Sequence, residues 1–174
     1  MNRISNSWRT RLLTSLLLVL ALPTLAEGPL TVRKVDLSGL KVSLSLPSEF
    51  QPFPTGDTKR TAIFQDPKSG NVMVMNPGES ITEQDLMDPK LVGRIVASGE
   101  KDGVKLISHQ MVTLPGKRKA LKILLEIPGK TTKTRQLRYM IAGDPGPVIM
   151  FTTTHEQAPK FMPKTESWIQ TLRF

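Results

Sequence analysis

Ala120-Leu121-Lys122-Ile123-Leu124-Leu125-Glu126-Ile127 and Arg135-Gln136-Leu137-Arg138-Tyr139-Met140-Ile141 are two apolar runs separated by a short polar segment that opens with Pro128-Gly129-Lys130. Leu121, Ile123 and Leu125 recur every second residue, as do Leu137, Tyr139 and Ile141. That period is the mark of a β-strand. Similar runs flank them at about Val104–Thr113 and Val148–Thr154. The connections Pro115-Gly116-Lys117-Arg118 and Gly143-Asp144-Pro145-Gly146-Pro147 are short and rich in turn formers, so the four strands read as an antiparallel meander. With Ile123 opposite Tyr139 both alternating sets share one face, whereas a slip by one residue would set Arg138 against Ile123 in the core. The first register is therefore expected.

Upstream, Leu40, Val42, Leu44 and Leu46 alternate with Lys41, Ser43 and Ser45, and Pro47 ends that strand. Phe50 and Phe53 lie in the Pro-punctuated loop 48–56 and are expected to plug the end of the core. Thr61–Gln65 and Asn71–Met75 read as a hairpin around Asp66-Pro67-Lys68-Ser69-Gly70. Thr82, followed by Glu83 and Asp85, is a helix-capping pattern, and a helix is expected from about Pro89 to Ala97. Near the end, Phe161, Thr165, Trp168, Ile169 and Leu172 form a helical stripe able to close one face of the sheet. The expected class is α+β, a mainly antiparallel sheet covered by helices.

Residues 1–11 carry Arg3, Arg9 and Arg11 with no acid and run into the apolar stretch Leu12–Leu22, then Pro23 and Thr24-Leu25-Ala26. This is the order of a secretory signal peptide, with cleavage expected after Ala26. Its apolar core is shorter than the ~20 residues a membrane span needs, so no permanent span is expected after cleavage. The arginines are not adjacent, which argues against the twin-arginine route. Removing 1–26 takes three Arg from a chain with 24 Lys+Arg and 15 Asp+Glu, so the net charge falls from +9 to +6. Residues 27–35 are expected to be an extension and 36–174 a single domain, periplasmic or secreted.

The chain has no Cys. Disulfides, thiolate zinc sites, iron–sulfur clusters, thiol nucleophiles and acylated anchors all need that sulfur. There is no Gly-rich phosphate loop and no nucleophile elbow. His109 and His155, with Glu156, are weak metal-ligand candidates if their strands are neighbours. No base, nucleophile and oxyanion donor can be named together, so no enzyme is expected and no cofactor. Lys117, Arg118, Lys119 and Lys122 gather around one turn; Lys130, Lys133, Arg135 and Arg138 gather around the next. Consecutive turns lie at opposite ends of a sheet, which gives two basic clusters. They are either a solvated face or contacts for an anionic surface. Nucleic acid is a poor partner, because no aromatic platform accompanies them.

The opening strand Val42-Ser43-Leu44-Ser45-Leu46-Pro47-Ser48-Glu49-Phe50, the early hairpin, the central helix, the meander and the closing Trp168-Ile169-Gln170-Thr171-Leu172-Arg173-Phe174 resemble the PsbP-like and DcrB-like exported proteins. The resemblance covers nearly all of 36–174. It implies an α/β/α sandwich and a non-enzymatic binding or assembly role. Many bacterial members are lipoproteins, and this chain departs from them in having no Cys at the cleavage site. The functional expectation is a periplasmic non-catalytic adaptor for an envelope protein. A small-molecule or lipid carrier is the alternative, with a pocket between sheet and helix lined by Phe64, Met73 and Met75; a metal-dependent enzyme comes third.

N-terminal sequencing of the exported protein is expected to begin at Glu27. Recovery of residues 1–26 on the mature chain would contradict the cleavage site.

Overall fold

The alternating sets at 121–125 and 137–141 lie on opposite faces of one sheet, and both faces are buried there. This follows from a computed structural model describing residues 28–54, 60–100 and 102–174; the expected signal peptide, residues 1–26, lies outside them. Strands β1 (Leu30–Leu37) and β2 (Leu40–Pro47) form a two-stranded hairpin. The remaining strands are β3 (Gln51–Phe53), β4 (Ala62–Gln65), β5 (Val72–Asn76), β6 (Lys105–Thr113), β7 (Lys119–Ile127), β8 (Thr134–Ile141) and β9 (Val148–Thr154). They make one antiparallel sheet in the order β3-β4-β5-β9-β8-β7-β6. The helices are α1 (Glu83–Leu86), α2 (Pro89–Glu100) and α3 (Ala158–Ile169).

One face of the large sheet carries the β1–β2 hairpin and α3. Val42, Leu44 and Leu46 of β2 enter a core with Met73, Met75, Leu137, Tyr139, Ile141, Ile149 and Phe151 of the sheet and Phe161, Trp168 and Ile169 of α3. The other face carries α1 and α2, whose Leu86 and Val92 pack on Leu121, Ile123 and Leu125. The expected α+β class, with helices covering the sheet in an α/β/α sandwich, is therefore corrected. Of the described residues 46% are in strands and 21% in helices, and much of one covering layer is itself a β-hairpin. The protein is a β-rich, mostly antiparallel fold.

The expected register of β7 on β8 is also corrected: Ile123 lies opposite Arg138 and Lys122 opposite Tyr139. The expectation assumed one buried face. With two, each alternating set finds its own core, and the residue between takes the other side. Residues 30–35, expected as an extension, belong to β1. Their apolar positions change phase, with Leu30 and Val32 outward but Val35 and Leu37 inward, so no period of two marked the strand. Inward Arg33 is accommodated by a hydrogen bond from Nη2 to the Phe50 carbonyl at 2.7 Å and by the Phe64 ring.

Local signals elsewhere act as expected. Gly70 takes a φ of +73° in the β4–β5 turn, where its N–H bonds the Asp66 carbonyl. Thr82 and Asp85 form a reciprocal capping box on α1. Helix α2 begins at Pro89 and runs about one turn beyond expectation, to Glu100. Phe50 plugs the core, but Phe53 stands half-exposed on β3. Among the described residues no helix is long and apolar enough to cross a membrane.

Trp168 is 2% exposed and its ring meets Phe50, Phe151 and Phe161 at 5.6, 6.0 and 5.7 Å. Trp168→Ala is expected to lower unfolding free energy by ~3–5 kcal/mol. Urea denaturation checks this; a loss below ~1 kcal/mol would contradict the packing.

Candidate functional site

The pairing that sets β7 beside β8 and β8 beside β9 brings Glu126, Arg135 and Thr153 into one row at the end of the sheet. Glu126 is a carboxylate on the inward phase of a strand, and it is buried. A buried charge must be paired. Arg135 Nη2 lies 2.8 Å from Glu126 Oε2, Lys133 Nζ 3.2 Å from Oε1, and His155 Nδ1 3.2 Å from Oε2. Arg135 Nε also donates to His155 Nδ1 at 3.3 Å, and the His155 backbone N–H bonds the Lys133 carbonyl at 2.9 Å. The hydrogen bond from Lys133, with the charges of Lys133 and Arg135 adding to it, holds the Glu126 carboxyl below its ordinary pKa against the opposing effect of burial.

Two clefts meet at His155. One, of about 340 Å³, lies between Leu124 of β7 and Ala158, Pro159, Met162 and Pro163 of α3, with Arg135 and His155 at its end. The other, of about 260 Å³, is lined by Thr131, Thr132, Lys133, Thr154, His155 and Glu156. Lys130 is exposed on the same turn.

The structure divides the candidates read from sequence. His109 sits on β6 opposite Ile123, while His155 follows β9, so β7 and β8 lie between their strands, roughly 14 Å at ~4.8 Å per strand. They are not a ligand pair, and among the described residues no group of three or more His, Asp and Glu is placed to hold a metal. Glu156 is exposed. The threonines before His155 are engaged: Thr152 accepts from Gln136, Thr153 donates to Gln157, and Thr154 accepts the Gln157 backbone N–H.

The two basic clusters do lie at opposite sheet ends. Arg118 stacks on the Phe174 ring at 4.0 Å, Lys119 Nζ donates to Thr113 at 2.9 Å, and Lys117 is exposed. Lys122 and Arg138 leave their clusters. Lys122 turns to α3 and pairs with Glu166. Arg138 lies on the α2 face, donates from Nη2 to Gln136 Oε1 at 2.8 Å, and has its pKa lowered by burial. Met73 and Met75 are fully buried core; Phe64 reaches the wall of a groove shared with Val32 and Val35. The sequence reading missed Glu126, although it is the one acid between Lys117 and Arg138, a stretch with eight Lys and Arg.

The α2 face has a second feature. His109, Ile123, Arg138, Met150, Val74, Ile63 and Phe53 are successive cross-strand neighbours, forming a row across all seven strands. The core under α1 and α2 reaches Met140 of β8 and includes none of Met150, Val74 or Ile63. From Arg138 to Phe53 the row is half-buried or exposed.

No family model matches the chain, and no curated protein matches it. Solved structures share the fold. The crystal structure of PA94 from Pseudomonas aeruginosa, a protein of unknown function, is 19% identical and superposes with a TM-score of 0.53, covering 84% of this chain and 98% of that one. A structure from Bacteroides thetaiotaomicron is 16% identical with a TM-score of 0.52, and the match takes in 85% of this chain and 48% of that longer one. At these identities the likeness is one of fold.

Because the folded Glu126 carboxyl is depressed, its contribution to stability is complete above the unfolded value, ~4.3, and is lost as pH falls through the folded value. Glu126→Gln is expected to destabilise the protein at neutral pH. The gap between the urea midpoints of wild type and variant should narrow as pH falls below the unfolded value; a gap unchanged with pH would contradict the paired carboxylate.

Proposed function

We propose that this chain is an exported, non-catalytic binding protein that recognises an envelope protein through the uncovered half of its α2 face. The carrying observation is the row Met150, Val74, Ile63 and Phe53. On the same sheet the residues facing α1 and α2 are covered, and these are not. A sheet normally buries an apolar strip or makes it polar. Here Arg138 borders the strip with its Nε buried and without a hydrogen-bond partner, so an apolar partner surface carrying an acceptor suits it. The basic export-type N-terminus supports a periplasmic location, and the resemblance to PsbP-like and DcrB-like proteins supports an accessory role. The mature charge of +6 and the basic sheet ends favour an acidic partner.

A photo-crosslinking amino acid placed at Val74 or Met150 in the host is expected to capture the same discrete protein from both positions. The same residue placed at exposed Ser167 on α3 should not capture it. Val74→Asp, with folding verified by circular dichroism, should abolish capture from Met150. Equal capture from Ser167, or none from the sheet positions, would overturn the reading.

A further inference from the structure

We propose that the cleft between β7 and α3 is a binding site for a small anionic amphiphile, a carboxylate with a medium-length apolar tail, separate from the sheet face described above. The chemistry of its two ends differs. Leu124 forms the apolar side on the sheet and Met162 with Pro163 the side on α3, while Arg135 and His155 stand at one end. Glu126 pairs with Arg135 Nη2 at 2.8 Å, and Arg135 Nε in turn donates to His155 Nδ1 at 3.3 Å, so that both groups are held in place. Lys133 bonds the other carboxylate oxygen and is 59% exposed, leaving ammonium hydrogens for a ligand. One buried acid thus organises two permanent cations and a histidine, and the excess positive charge faces the mouth of an apolar cleft.

Beyond the apolar side chains of the cleft, Leu124 on β7 and Met162 with Pro163 on α3, lies a charged pair. On β7, Lys122, Leu124 and Glu126 share one face, and Lys122 is paired with Glu166, one helical turn beyond Met162. The apolar stretch between the two charged groups is therefore about four strand residues, roughly 13 Å at ~3.3 Å per residue. That span is the upper limit on a tail lying in the cleft, whose volume of about 340 Å³ lies at the small end of ligand pockets. Thr131, Thr132 and Thr154 line the cleft on the other side of His155, a polar surrounding for the head group. The shared chemistry, an anionic head group on an apolar tail, could come from a free fatty acid or from the phosphate of an anionic lipid in a bilayer.

The probes are decanoate, decanol and vesicles of phosphatidylglycerol, used with the mature chain. Decanoate is expected to bind one to one by calorimetry and to shift the Leu124 and Met162 methyl resonances. Decanol, lacking the charge, should bind about tenfold more weakly or worse. Arg135→Gln should weaken decanoate by a similar factor, and Met162→Trp, which fills the cleft and leaves the cations, should abolish binding. Circular dichroism and the urea midpoint report folding of both variants; if Arg135→Gln fails to fold, Lys133→Gln serves instead. Decanol binding as tightly as decanoate, undiminished binding by Met162→Trp, or no decanoate binding up to millimolar concentration would overturn the proposal. Vesicle sedimentation distinguishes the source: binding to vesicles that Met162→Trp abolishes assigns the head group to a lipid, whereas vesicle binding that survives Met162→Trp, with no decanoate bound, overturns the cleft.

Discussion

Trp168 is where the parts of this protein meet. Its indole lies against Phe50 from the segment after the hairpin, Phe151 from the sheet's central strand, and Phe161 one face along its own helix. Each such ring pair adds ~0.5–1.5 kcal/mol to the burial of the rings themselves. With no cysteine in the chain, no disulfide can replace that contact. The hairpin and α3 keep their places on the sheet through this aromatic junction, supported by the Ser43–Arg173 backbone bridge, whose two bonds are each 2.9 Å. The groove beside α3 exists because α3 is held there and not against β7.

The two faces of the sheet are treated differently. The hairpin face is closed along most of its width, so its strands carry Met73, Met75, Ile149 and Phe151 with no exposure. The α2 face is closed only over β6 and β7 and part of β8. Its remaining residues compromise: Val72, Val74 and Ile63 alternate with Gln65, Gln136 and Thr152, a mixture that stays soluble alone and loses little on being covered. Arg138 stands at the boundary, too buried to be a free cation and incompletely bonded.

Strands β2 and β4 to β9, the capping box at Thr82 and the α3 stripe were legible in the sequence because each is a local pattern with a single physical reading, whereas β3 fell in the stretch read as a loop. The register was not. Alternation in β7 and β8 says that one phase of each strand is buried, but which phases share a face depends on what covers the sheet, and Leu40–Pro47 arrives from far away in sequence to do so. β1 was hidden by its change of phase, and Arg33 made the inward side look polar. Of the candidate site, Lys130, Lys133, Arg135 and His155 were singled out separately, while Glu126, the group that assembles three of them, passed as one more polar residue in a strand. His109 and His155 could be paired only by counting strands in space, since the meander puts two between them.

The position of β9 bears on when the sheet can close. It is the last strand to leave the ribosome, yet it lies between β5 and β8, with Val72 opposite Thr152 and Gln136 opposite it on the other side. Until it arrives, β3–β5 and β6–β8 are two unjoined fragments, each with an open edge. Contacts of such sequence separation form slowly. Until β9 is made, the emerging segments therefore have no finished sheet, and the large core on either face of it closes only at the end of synthesis.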